Sequence, residues 1–475
     1  METSTIAAIA TPGGRGGIGI IRLSGPRAVL IATELFFLAE SKTRSIAGRA
    51  QKPDDTTFSG FQSHRLHYGH IIDPANQRVV DEVLLCVMRA PRSYTKEDVV
   101  EINAHGGPVA LNAILELTLR QGARLADPGE FTKRAFLNGR IDLTQAEAVI
   151  DIISAKSDKF LQMAAAMVNG ELRTHVERIR DFLIEFLTLM EAAIDFPEDV
   201  DDIIDPKNHA KEIEEHAVKP LRDLVRHFVD GNVLRDGLKV AVVGRPNVGK
   251  SSLLNQLVRK ERAIVTAVPG TTRDVINETL NIKGYPIVLS DTAGLHKTDD
   301  PIETIGIEKT NENVSYADLI LFVVEANCSL TSEDYAIFDQ LQPKPFIIVI
   351  NKIDLVNGSH SVELPASWEK KDSVRISALY NRGIDQLKEQ IIETAFGNNP
   401  IDSKVAIVPN LRQKLLLENT LTAAETICRE LENNTHVELI AIHLQEAIDA
   451  MGQILGNNAG VDVLDQIFSR FCIGK

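Results

Sequence analysis

The residues "GRPNVGKS" at 244–251 fit the pattern G-x-x-x-x-G-K-S. Such a turn wraps phosphates with backbone N–H groups, extends a lysine to the β- and γ-oxygens and offers a hydroxyl to Mg²⁺. It follows the apolar run "LKVAVVG" and precedes the helix-like "SLLNQLV", so the anion meets a helix N-terminus. The candidate phosphate-loop residues are Asn247, Val248, Gly249, Lys250, Ser251 and Ser252, with Lys250 on phosphate and Ser251 on Mg²⁺. "DTAG" (Asp291, Thr292, Ala293, Gly294) ends another apolar run. Asp291 can hold Mg²⁺ through water, and the Gly294 N–H can meet the γ-phosphate. "NKID" at 351–354 supplies Asp354, a carboxylate able to accept from both N1–H and N2–H₂ of guanine, while Asn351 and Lys352 brace the base. Adenine lacks that donor pair, so the motif selects GTP over ATP. "SAL" at 377–379 (Ser377, Ala378) offers a backbone N–H to guanine O6. "TAVPGTTRD" at 266–274 falls where a loop that senses the γ-phosphate is required, and Thr272 is the candidate to complete the Mg²⁺ shell.

One residue breaks the pattern. Many such proteins place after the glycine a glutamine that orients the attacking water; here Leu295 follows Gly294, then His296 and Lys297. Leucine has no polar atom for water. Arg273 lies near the sensing loop, but Asp274 follows it and an ion pair is the competing reading.

The elements that must position these groups are legible in the hydrophobic pattern. "LKVAVVG", "YPIVLSD", "ADLILFVVEA", "PFIIVINKID" and "SVRISAL" are five strand candidates. Their continuous apolar runs suit a parallel sheet covered on both faces, with the ligand crevice at the carboxyl ends of the strands. Residues 1–140 mix short strands ("GIGIIRLSG", "DEVLLCVMRA", "DVVEINAHGG") with the helix "PVALNAILELTLRQG", an α+β pattern. Ile179, Leu183, Phe186 and Met190 recur at helical spacing and predict a bundle core. Helical sequence returns after about Asn398. The expected architecture is therefore an α+β domain at 1–140, a helical domain split between 141–237 and 397–475, and an α/β domain inserted at 238–396.

At 475 residues the chain is too long for one compact domain. Its 44% hydrophobic and 25% charged content is globular, and a net charge of −15 argues against a basic nucleic-acid coat, though a local basic face can still bind RNA. Cys86, Cys328, Cys428 and Cys472 form no CxxC pair, so neither a zinc site nor a disulfide framework is indicated. The N-terminus "METSTIAAIATPGGRGG" lacks the basic lead and apolar core of a signal peptide, and no apolar run is long enough to span a bilayer. A cytoplasmic protein without a membrane anchor is expected.

"GRPNVGKSSLLN", "IVTAVPGTTRD", "DTAGL" with "IGIE" downstream, and "FCIGK" at 471–475, together with "GRGGIGIIRLSG" and "DPGEFTKRAFLNGRIDLTQAEAVIDII", resemble the MnmE (TrmE) family of tRNA-modification GTPases over essentially the whole chain. The resemblance implies a Ras-like P-loop GTPase domain inserted into a helical domain, preceded by an α+β folate-binding domain like that of folate-dependent aminomethyltransferases. It implies a K⁺ ion where an arginine finger would act, held by Asn247, the Thr266 and Val268 carbonyls and Thr271, with Ala267, Pro269 and Gly270 completing the nucleotide-binding loop. It assigns catalysis to Glu303, which by residue type alone reads as a solvated glutamate at a helix start. Cys472 becomes a catalytic candidate, against the reading of an inert exposed thiol. Arg22, Glu101, Arg140 and Lys475 map to 5-formyltetrahydrofolate contacts. The implied partners are a second copy in a homodimer, the FAD-dependent MnmG (GidA) in a heterotetramer-like complex, and tRNA. The implied activity installs an aminomethyl or carboxymethylaminomethyl group at C5 of the wobble uridine, with K⁺-activated GTP hydrolysis driving G-domain opening and closing. A ribosome-assembly or translation switch GTPase without transfer chemistry is the competing reading of the nucleotide motifs.

Overall fold

The computed structural model describes residues 4–39, 61–199, 204–261, 278–289, 317–341, 344–356, 362–368, 371–396, 407–457 and 459–475. These fall into two compact units, one holding the described residues up to Ile150 together with Gly452–Lys475, the other holding the described residues from Asp151 to Met451.

The first unit is built on a seven-stranded sheet of β1 (Ile6–Ile9), β2 (Ile18–Ser24), β3 (Phe36–Leu38), β4 (Leu66–Ile72), β5 (Val79–Met88), β6 (Val99–His105) and β7 (Arg124–Leu125). Its order is β3-β4-β5-β6-β2-β1-β7, and only the β1–β7 pair is parallel. Side chains alternate across a strand. Ile21 and Leu23 of β2 and Val100 and Ile102 of β6 therefore enter the core, where the helices Ala28–Leu35 and Pro108–Arg120 contribute Leu35, Leu111, Ile114 and Leu117. Arg22 and Glu101, in register with each other, are left on the opposite face. The helix Val461–Phe468 returns to this unit and packs Leu464, Ile467 and Phe468 against Leu143 and Ala146.

A polar network ties the turn after β7 to the helix Glu130–Leu137. Glu130 accepts from Arg124 Nη2 at 2.5 Å, Arg134 Nη2 at 2.8 Å and the Asp127 N–H at 2.9 Å. Arg134 Nη1 reaches Glu97, whose other partner is the Ser24 hydroxyl. Buried charges are tolerated only when paired and hydrogen-bonded in this way.

In the second unit the helix Glu171–Asp195 buries Ile179, Leu183, Phe186 and Met190, the stripe expected from the sequence. The helix Leu411–Glu432 packs against the helices Pro206–Ile213 and Lys219–Asp236 and the π-helical turn between them, so helices from two distant stretches of chain build one bundle. Between those stretches lies a six-stranded sheet of β8 (Leu238–Val243), β9 (Glu278–Ile282), β10 (Tyr285–Leu289), β11 (Leu319–Glu325), β12 (Phe346–Asn351) and β13 (Ser373–Arg375). The order is β13-β12-β11-β8-β10-β9, parallel except for β9 on β10. Val240 and Val242 face Leu253, Leu254, Leu387 and Ile391, while Ala241 and Val243 face Phe338 and Trp368, so both faces are covered. Five of the strands coincide with the apolar runs. The sixth, β9, escaped that reading because "ETLNI" is an edge strand with polar residues interleaved, and carries no continuous apolar run.

Chain entry to and exit from this sheet are held together. Arg235, three residues before β8, makes a bidentate pair with Asp151 (Nε–Oδ1 3.1 Å, Nη2–Oδ2 2.7 Å), and its Nη2 approaches the Val408 carbonyl at 3.5 Å.

Glu130 gives a pH test. Burial pushes its carboxyl up, but the bonds from Arg124, the Asp127 N–H and Arg134 outweigh this and hold it below the usual carboxylate value. A depressed folded pKa adds stability above the unfolded value of about 4.3, which is lost as pH falls through the lower folded value. Glu130→Gln should therefore lower the unfolding midpoint of the full chain at pH 7, and the gap from the parent should close below about pH 4. A gap independent of pH would show that the charge on Glu130 is not what stabilises the network.

Candidate functional site

β8 has β10 on one side and β11 on the other, so the chain reverses its winding direction there. Doubly wound sheets bind ligands outside the strand ends at such a switch. The turn 244–249 leaves β8 at that point. Gly244 has φ 149°, and a Cβ on it would lie 2.3 Å from the Val323 carbonyl oxygen. Gly249 has φ 99°, and a Cβ there would lie 2.3 Å from Asn351 Nδ2. Both glycines are thus required by left-handed backbone and by close packing. Lys250 Nζ folds back over the turn and donates to the carbonyls of Gly244 (2.7 Å) and Arg245 (2.8 Å). Ser251 and Ser252 are exposed on the first turn of the helix Lys250–Glu261, and Asn247 is exposed with φ 63°.

The NKID and 377–378 residues meet this turn through one side chain. Asn351, 2% exposed at the end of β12, donates from Nδ2 to the Val248 carbonyl at 2.9 Å and accepts the Ala378 N–H on Oδ1 at 3.1 Å. The phosphate turn, NKID and the 377–378 turn are thereby one construction. Lys352, in left-handed backbone (φ 65°), pairs with Glu325 at 2.8 Å. The Ser377 hydroxyl donates to Asp354 Oδ1 and fixes the carboxylate that would read guanine. Each carboxylate oxygen carries two lone pairs, so Asp354 keeps capacity for the base. Glu325 was not foreseen; its signal was an acid closing an apolar strand beside NKID. The loop residues Thr266, Ala267, Val268, Pro269, Gly270, Thr271 and Thr272, the segment Asp291, Thr292, Ala293, Gly294 and Leu295, and Glu303 lie outside the described residues.

A second polar cluster occupies the first unit. Arg22 Nε and Nη2 both converge on Glu101 Oε1 at 2.8 Å, across the β2–β6 register. Arg22 Nη1 donates to the Gly474 carbonyl at 3.2 Å, and the Phe131 N–H donates to the Lys475 carbonyl at 3.2 Å, so the tail is docked at this cluster. Arg140 lies with Cζ 4.7 Å from the Tyr94 ring centroid, and Arg22 approaches the same ring at 5.9 Å. Arg22 and Glu101 are thus paired, Arg140 shares the Tyr94 ring with Arg22, and Lys475 follows the Gly474 whose carbonyl Arg22 holds across 452 residues of chain. Cys472, exposed, sits in the same docked tail, its carbonyl accepting the Lys475 N–H at 3.3 Å. Tyr94, held by a 2.9 Å bond between its hydroxyl and Thr132, was not singled out, because an aromatic in a loop carries no periodic signal. Cys86, opposite Glu101 in register, has its thiol pushed up by burial and by the Glu101 charge.

Comparison with known proteins bears on both sites. The model of the MnmE helical domain matches residues 143–472, and the model described as GTP-binding protein TrmE N-terminus matches residues 5–140. The tRNA modification GTPase MnmE of Carboxydothermus hydrogenoformans is 45% identical over 476 residues, covering 100% of both chains. That of Geobacillus kaustophilus is 44% identical, again with 100% of both covered. Among solved structures, Aquifex aeolicus Era bound to GDP and AlF₄⁻ aligns with 39% of this chain and 66% of its own, at 28% identity and a TM-score of 0.25.

Asn351→Ala tests the shared construction. It orphans a buried carbonyl and a buried N–H, which costs about 1–3 kcal/mol. Urea unfolding should show a loss of that order, with GDP affinity falling at least tenfold. Unchanged GDP affinity would show that the amide is not needed to shape the turn.

Proposed function

The chain belongs to the MnmE (TrmE) family of tRNA modification GTPases, and from that premise we propose that it couples K⁺-activated GTP hydrolysis to modification of the wobble uridine of tRNA at C5. The observation that supports the nucleotide part of this reading is the convergence of the phosphate turn and NKID at the carboxyl ends of β8 and β12 through Asn351. Guanine is read by Asp354, held by Ser377; Ser377 and Ala378 line the base, and Lys352 braces it. The β- and γ-phosphates lie in the N–H groups of residues 247–252 with Lys250 released from its carbonyl partners toward them.

Ser251 and Thr272 would hold Mg²⁺, with Asp291 behind a water. The exposed Ser251 hydroxyl, at the first turn of its helix, fits that ligation. Asn247, Thr266, Val268 and Thr271 would hold K⁺, an oxygen-ligand set suited to a hard cation; Asn247 stands exposed at the rim of the turn, as such a role needs. When bound, the two cations supply positive charge at the β–γ bridge, where charge develops in hydrolysis. Glu303 orients the water that Leu295 cannot. GTP turnover in a homodimer opens and closes the paired nucleotide domains. MnmG, with FAD, is the partner in placing the aminomethyl or carboxymethylaminomethyl group on the tRNA.

The cluster of Arg22, Glu101, Arg140 and Lys475 is assigned to 5-formyltetrahydrofolate, the one-carbon donor. Its donor set suits that ligand: a carboxylate for the pterin amide donors, guanidinium groups for the glutamate tail, and the Tyr94 ring beside them. Cys472, in the docked tail, is the candidate nucleophile at that site. Among the described residues no helix is long and apolar enough to cross a membrane.

GTPase rates of the full chain in matched KCl and NaCl test the cation assignment. At least tenfold stimulation by K⁺ is expected, and equal rates would overturn it. Calorimetric titration with 5-formyltetrahydrofolate tests the first unit: the parent should bind and Arg22→Ala should weaken binding at least tenfold. Absence of binding by the parent would favour a switch GTPase without transfer chemistry.

A further inference from the structure

We propose that Asp334 is a positioning residue for nucleotide binding, acting on the phosphate turn through Arg245. Asp334 lies in the first turn of the helix Ser332–Gln340 and is fully buried. Its Oδ2 accepts the Thr331 N–H at 2.8 Å and the Thr331 hydroxyl at 3.0 Å, which closes the helix N-terminus. Its Oδ1 is turned away from the helix and accepts Arg245 Nε at 2.8 Å.

Closing the helix end requires only the first oxygen. A carboxylate with no solvent access is expensive unless a cation faces it, and the cation here comes from the phosphate turn itself. Arg245 follows Gly244 directly, and the carbonyls of these two residues hold Lys250 Nζ. Asp334 therefore fixes the backbone that parks the phosphate-binding lysine. The turn is fastened at both ends: Asn351 grips it at Val248, and Asp334 grips it at Arg245. A phosphate cradle works by holding its N–H groups in place before the ligand arrives. A turn loose at its first residues would spend part of the binding free energy on its own ordering.

A purely structural pair and a positioning pair differ in what their loss affects. Two variants of the full-length protein separate them: Asp334→Asn, and the double variant Arg245→Met with Asp334→Leu, which removes both charges and leaves none buried alone. GDP and GMP affinities are measured by competition against a fluorescent guanine nucleotide, alongside the unfolding midpoint. If Asp334 positions the turn, both variants bind GDP at least tenfold more weakly. GMP, which lacks the β-phosphate that the turn wraps, changes less than twofold. The double variant regains the parent's midpoint without regaining GDP affinity. The proposal is overturned if the folded double variant binds GDP within twofold of the parent, or if GDP and GMP affinities fall by the same factor. Should Asp334→Asn fail to fold, the double variant alone decides.

Discussion

One buried amide organises the nucleotide site. Asn351 is nearly without solvent access, and its oxygen and nitrogen are both committed to backbone partners from other elements. In a low-dielectric interior such bonds are strong when made and costly when broken. The side chain that begins NKID thus also spans to the glycine-rich turn 244–249. The glycine at 249 follows from the same contact, since any side chain there would occupy the space of the Asn351 amide. The turn 244–249, NKID and the 377–378 turn are accordingly a single packed arrangement, and displacing one displaces the others.

The first unit depends on a comparable economy around Arg22. One guanidinium faces a carboxylate from the neighbouring strand, a carbonyl from the far end of the chain and the rings of Tyr94 and Phe131. Arginine suits this because its planar fork presents several donors in fixed directions. The docked tail brings Cys472 and Lys475 to the sheet face that carries Arg22 and Glu101. In the second unit the bidentate Arg235–Asp151 pair plays the joining role, gathering the segments before and after the nucleotide-binding sheet.

Much of this was legible in the linear sequence. Chemically demanding positions tolerate few residue types, so the turn 244–251, NKID and SAL could be read as parts of one guanine site from spacing alone. The continuous apolar runs marked five parallel strands, because a strand buried on both faces needs them. The stripe Ile179, Leu183, Phe186 and Met190 marked the long helix for the same reason. The edge strand β9 was not legible, since only one side of it packs and its composition is mixed.

By itself, then, the sequence determined the family, the guanine-nucleotide motifs, five strands of the inserted sheet and the long helix stripe. Each of these is written in local patterns, where the physical requirement and the residues that meet it lie a few positions apart. What only the tertiary structure decided is which distant groups share a contact: Asn351 with Val248 and Ala378, Asp334 with Arg245, Arg22 with Gly474, Tyr94 with Arg140. These partners are separated by tens to hundreds of residues. No periodicity links them, because each depends on where the fold brings two distant segments together; for Asn351 and Asp334 the rule is that a buried polar group must find a partner wherever the fold brings one.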